Sequence, residues 1–139
     1  MSKSAYSLFR KRKLLHDKSS TPDKLIGAGE AFLEAGRYYD AVDFFEKADA
    51  RDRLAEMVEA AITEGDTALL LRVKKLLGEE PEPEELRRAA LKATESGRST
   101  MALVAYKRLG DRESARAIAA ELGLTPQKAL PESPKQDSE

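Results

Sequence analysis

His16 is the only histidine in this 139-residue chain, and there is no cysteine. Transition-metal sites and nucleophile–base pairs are assembled from those residue types, so neither can be built here from the usual ligands. The 25 Asp and Glu residues fall beside Lys and Arg at helical spacing. There they are expected to stay solvated, with ordinary pKa values, and not to work as a general acid–base pair. Gly27 and Gly29 do not follow a strand, so they read as close-packing positions inside a helix and not as a phosphate cradle. The sequence therefore predicts no catalytic residues, no cofactor and no bound metal. What remains is charge and surface. Arg10, Lys11, Arg12 and Lys13 form a basic run between Tyr6, Leu8, Phe9 and Leu14, Leu15. Such an arm has three expected uses: capping the first helices or docking on an acidic surface of this chain, touching a partner protein, or meeting phosphate on a nucleic acid or anionic membrane.

The formal net charge of −1 hides a segregation. Residues 1–22 carry six basic and one acidic side chain, residues 23–85 eight and seventeen, and residues 86–139 ten and seven. This asymmetry bears on partners more than on fold. With 35% charged and 41% apolar residues, the composition suits an elongated object with much surface. Ala68 to Leu71 is the start of an apolar run that Arg72, Lys74 and Lys75 cut short, so no membrane span is expected. Leu8 and Phe9 run straight into the basic cluster, which is not the pattern of a secretory leader. The absence of cysteine excludes a disulfide framework and makes a reducing cytoplasm the expected compartment.

The elements that must position any surface are helices. Leu25, Ala28, Phe32 and Ala35 make one apolar stripe and Ala41, Val42, Phe45 and Ala48 the next, both at helical period. Thr21-Pro22 reads as an N-cap followed by proline at the first helical position. Gly36, Gly65 and Gly97 mark helix ends, Asp66 and Ser99 are expected N-caps, and Glu80-Pro81-Glu82-Pro83 is a stiff turn before Glu84 and Glu85. Seven helices are expected, at about 22–35, 38–49, 52–64, 67–78, 83–96, 100–109 and 112–122. Linkers of two to five residues make them antiparallel hairpins. The chain then reads as a basic arm over 1–20, a helical domain over 21–123 and a flexible polar tail over 124–139.

An internal repeat organises these helices. Residues 35–45 align with residues 96–106 at a constant offset of 97 − 36 = 61, and Ala115 and Ile118 fall where Leu54 and Met57 stand. Within the first hairpin, Leu25, Gly29, Phe32, Gly36, Tyr38, Ala41, Phe45 and Ala48 have the types and spacings of a tetratricopeptide repeat, and the segment resembles that family. Leu86, Ala90, Ala93, Gly97, Ala102 and Tyr106 repeat much of the pattern, whereas Lys74 stands where an aromatic belongs and Arg53 where a closing proline would be. The resemblance implies an all-α fold of antiparallel hairpins stacked as a short right-handed solenoid. It also implies that the first helix of each hairpin lines a concave groove. Ile26, Glu30, Leu33, Glu34, Glu56, Glu59, Arg87 and Arg88 would face that groove, with Ile62 among the apolar contacts. Lys and Asn of a carboxylate clamp are not at the matching positions. The expected function is non-enzymatic protein–protein interaction or scaffolding, with a basic or amphipathic partner segment in an acidic groove. The alternatives are an arm that binds nucleic acid or membrane with the repeats as platform, and a self-associating structural subunit.

Overall fold

The computed structural model describes residues 8–17 and 20–124; residues 1–7 of the basic arm and 125–139 of the polar tail lie outside the described residues. Among the described residues the chain is all-α, without a strand. Its helices are α1 (Leu8–His16), α2 (Pro22–Glu34), α3 (Tyr38–Lys47), α4 (Arg51–Glu64), α5 (Thr67–Leu77), α6 (Pro83–Glu95), α7 (Ser99–Leu109) and α8 (Arg112–Glu121). The seven helices expected from periodicity are present, and α1 adds an eighth within the arm.

One backbone device ends most of these helices. A residue turns into the left-handed region, and the next N–H reaches back to a carbonyl of the last turn. Gly36 has φ +78° and Arg37 N donates to Phe32 O at 2.9 Å; Gly97 has φ +74° and Arg98 N donates to Ala93 O at 2.8 Å. Asp49, at φ +55°, makes the same turn without being glycine, and Ala50 N donates to Phe45 O at 2.9 Å. Residues 37, 50, 66, 98 and 111 then open the next helix at once, each carbonyl accepting from the residue four further on. Thr21 and Asp66 cap as expected: Thr21 Oγ1 accepts from Lys24 N at 3.2 Å and Asp66 Oδ1 from Leu69 N at 3.1 Å. Ser99 does not. It is the first helical residue, and Arg98 is the N-cap, with no side-chain hydrogen bond.

The offset of 61 extends through the whole helical pattern. Pro22 and Pro83 open α2 and α6, and Arg51 and Arg112 open α4 and α8. Leu25, Ala41, Leu54 and Met57 are buried, as are Leu86, Ala102, Ala115 and Ile118 in the same register. Even α1 has its counterpart, since Leu8, Lys13 and Leu15 fall on Leu69, Lys74 and Leu76 of α5. The eight helices are thus two runs of one four-helix pattern, α1–α4 and α5–α8.

The chain divides into two compact units, residues 1–58 with 73–79 and residues 59–72 with 80–139. In the first, α2 packs on α3 and α1 touches α3. A Cβ at Gly29 would lie 2.6 Å from the Phe45 ring, so the absence of a side chain sets the approach of α2 to α3. Phe32 and Phe44 stack with centroids 5.5 Å apart, and the Arg37 guanidinium lies 4.9 Å above the Phe32 ring. Lys74, at the aromatic position, is 6% exposed, with its amine 3.0 Å from Glu79 Oε1. In the second unit α6 packs on α7 and α7 on α8, around Ala93, Ala102, Leu103, Ala115, Ile118 and Ala119. A Cβ at Gly65 would come within 2.8 Å of Ala93 N. Thr67 Oγ1 donates to Met101 O at 2.9 Å and Arg98 Nη1 to Glu64 O at 3.0 Å. Where the first run places Phe32 and Phe44, the second has Ala93 and Ala105, and Gly65 backbone lies against Ala93.

Two further sequence readings change. Ile62 is 1% exposed and belongs to the core, not to a partner surface. Gly27 is exposed, and a Cβ there would meet nothing within 4 Å, so it is not a close-packing position. The two glycines of α2 therefore respond oppositely to alanine. Gly27→Ala stabilises by about 0.5–1 kcal/mol by reducing unfolded-chain freedom, and Gly29→Ala destabilises by about 1–3 kcal/mol through overpacking. Urea denaturation of both variants checks the signs.

Candidate interaction surface

The exposed faces of α2, α4 and α6 carry most of the residues expected to meet a partner. Ile26 and Leu33 on α2 are half-buried, and Glu30 and Glu34 are exposed; Glu56 and Glu59 on α4 and Arg87 and Arg88 on α6 are exposed as well. Two of the acids are not free. In the first unit Glu30 Oε2 lies 2.7 Å from Arg53 Nη2 and accepts from Arg53 Nε at 2.8 Å, which joins α2 to α4. In the second unit Arg88 grips Glu59 with two parallel bonds of 3.0 and 2.8 Å, which joins α4 to α6. The hydrogen bonds from Arg88 hold the Glu59 carboxyl below its ordinary pKa, and Glu30 raises that of Arg53 in the same way. Glu59 therefore departs from the ordinary carboxylate expected of it, because its partner is 29 residues away and not one helical turn away. The acidic character expected of this face is offset at both places by an arginine.

The third step of the pattern breaks. Adding 61 to Glu30 and Arg53 gives Leu91 on α6 and Ser114 on α8, which cannot form an ion pair. Arg87 and Leu91 on α6, Tyr106 and Leu109 on α7, Gly110, and Asp111 and Ser114 at the start of α8 line an open cavity of about 490 Å³. Leu91 is 56% exposed beside it. Tyr106 is half-buried, whereas its counterpart in the first run, Phe45, is fully buried. The Asp111 carboxylate accepts from Ser114 N at 3.1 Å, which caps α8 and lowers the pKa of the acid. Arg87 is 63% exposed, and its ion pair with Glu84 is long at 3.4 Å. Arg87 and, four residues on along α6, Leu91 were expected to face a partner; Tyr106 and Asp111 were not, nor was the cavity. The signal was the register itself, with apolar Leu91 where Glu30 stands.

The basic run lies on α1. Arg12 and Lys13 are exposed and Leu14 and Leu15 half-buried; Arg10 and Lys11 belong to the same helix, and their side chains lie outside the described residues. Ser20 Oγ donates to Leu14 O at 2.9 Å behind the helix end. His16 is exposed at the last position of α1. Among the described residues, no three His, Cys, Asp or Glu side chains are grouped so as to hold a metal ion.

Comparison with protein-family models, with curated proteins and with solved structures finds no match to this chain.

The Glu59–Arg88 pair has a pH signature. A depressed folded pKa means that its contribution is present above the unfolded value and is lost as pH falls through the folded one. The Glu59 carboxyl should titrate below 4.5 when followed by carbon NMR, and Arg88→Gln should move the midpoint up toward that value. An unmoved midpoint would mean that the pair does not persist in solution.

Proposed function

We propose that this chain is a non-enzymatic interaction module, a short right-handed solenoid of TPR-like hairpins that holds a segment of a partner protein on the exposed face of its first helices. The observation that carries this reading is the open cavity at Arg87, Leu91, Tyr106 and Leu109, with a leucine more than half exposed on its wall. A concave, largely apolar site with a few polar groups at its rim is the usual form of a recognition site. The two-run helical pattern supports it, because stacked helical hairpins present extended binding surfaces. The partner segment is amphipathic more than simply basic, since Arg53 and Arg88 already offset Glu30 and Glu59. A cytoplasmic setting goes with the cysteine-free sequence. Among the described residues, no helix is long and apolar enough to cross a membrane.

A second reading is favoured by the exposure of Arg12 and Lys13 on α1, which present a positive edge that could meet an anionic surface. Photo-crosslinking in native lysate separates the two. A crosslinker at position 26 or 91 should give protein adducts that one at position 39, on the exposed Tyr39 of α3, does not. Those adducts should survive replacement of Arg10, Lys11, Arg12 and Lys13 by alanine. Adducts that vanish with the basic run, or that form equally at position 39, would contradict the first-helix reading.

A further inference from the structure

Among the exposed positions at which the two four-helix runs differ, the pair at Glu30 and Arg53 stands out. In the first run Glu30 on α2 and Arg53 on α4 form a 2.7 Å ion pair, and Phe45 on α3 is fully buried. In the second run the same positions hold Leu91 and Ser114, and a cavity of about 490 Å³ is open over Tyr106 and Leu109. A single exposed leucine is ordinary. A leucine 56% exposed on the wall of a cavity, where the matching position is a charged residue in an ion pair, is apolar surface placed for contact. The volume falls in the range of sites that take a compact ligand or a few side chains.

The charges around the cavity select the occupant. Asp111 is already committed, because its carboxylate accepts the Ser114 N–H and caps α8. That same cap occupies the helix N-terminus where a free phosphate would otherwise sit. Arg87 is a weakly compensated rim charge, since its ion pair to Glu84 is 3.4 Å long and exposed on both sides. Between residues 86 and 122 there are eight basic and four acidic side chains, so the local field favours an acid.

We propose that this cavity anchors an acidic, apolar segment of a partner protein, with one bulky apolar side chain against Leu91, Tyr106 and Leu109 and a neighbouring carboxylate on Arg87. The inference rests on the interaction reading above and names the chemistry of its partner at this site. Desolvated apolar contact supplies the affinity, and Arg87 fixes the orientation and excludes segments flanked by lysine.

Fluorescence anisotropy on the full chain tests it, with three fluorescein-labelled decapeptides that share a central Leu-Phe and are flanked by Glu, Ser or Lys. The Glu-flanked peptide should bind about tenfold tighter than the Lys-flanked one at low salt, and the gap should narrow as salt rises. The double variant Leu91→Glu with Ser114→Arg, which installs the ion pair of the first run across the cavity, should weaken binding by about tenfold or more. Arg87→Glu, at an exposed position with little role in folding, should invert the flank preference. Equal or tighter binding of the Lys-flanked peptide overturns the proposal, as does binding that survives both variants with unchanged circular dichroism. Protein adducts at position 91 without any Glu preference would overturn the acidic anchor and leave the broader interaction reading standing. Loss of both would overturn both.

Discussion

Left-handed turns between helices constrain this structure more than any single side-chain contact. Each of them ends a helix, satisfies its last carbonyls, and releases the chain already placed to begin the next helix. With so little chain between elements, neighbouring helices must pack against each other, and their apolar stripes decide how closely. Gly29 against Phe45 and Gly65 against the Ala93 backbone are two such close approaches. The exposed faces follow from the same constraint, because a helix held on one side by its neighbour presents the other side in a fixed register.

Most turns were legible in the sequence because, among the described residues, five connections carry a left-handed residue two positions before the next helix begins, and four of those residues are glycine. Asp49 was not legible, since an aspartate in that conformation has no separate sequence signal. The repeat was legible in residues 35–45 and 96–106, where glycine, arginine and alanine recur together. Its extension to α1 and α5 was hidden by composition, because Arg10 and Arg12 fall on Leu71 and Val73. A helix with arginines at two positions and one with apolar residues there can share a backbone pattern while sharing few residues. Ile62 was misplaced because the groove register implied by the resemblance was followed over its spacing, which sets it four residues after Val58 and eight after Leu54 on one buried stripe.

The candidate site was less legible, for a geometric reason. Glu30 and Arg53 are 23 residues apart and Glu59 and Arg88 are 29 apart, so local spacing rules do not join them. A reading that counts acids on a helix face sees Glu30 and Glu59 as available charge, whereas packing of α4 beside α2 and of α6 beside α4 supplies each with an arginine. The same packing explains why Leu91 matters. In a repeated helical pattern, a position that is ionic in one run and apolar in the next changes the surface without changing the fold. Leu25, Ala41 and Leu54 keep buried apolar counterparts in Leu86, Ala102 and Ala115.

Phe45 is fully buried, whereas Tyr106, at the same position of the second run, is half-buried beside an open cavity. Proton NMR with a soluble paramagnetic agent measures that difference directly through the rings of Phe45 and Tyr106, which share a register position. The account predicts strong relaxation enhancement of the Tyr106 ring and near-complete protection of Phe45. Equal protection of both rings would show that the second site is as closed as the first and would contradict it.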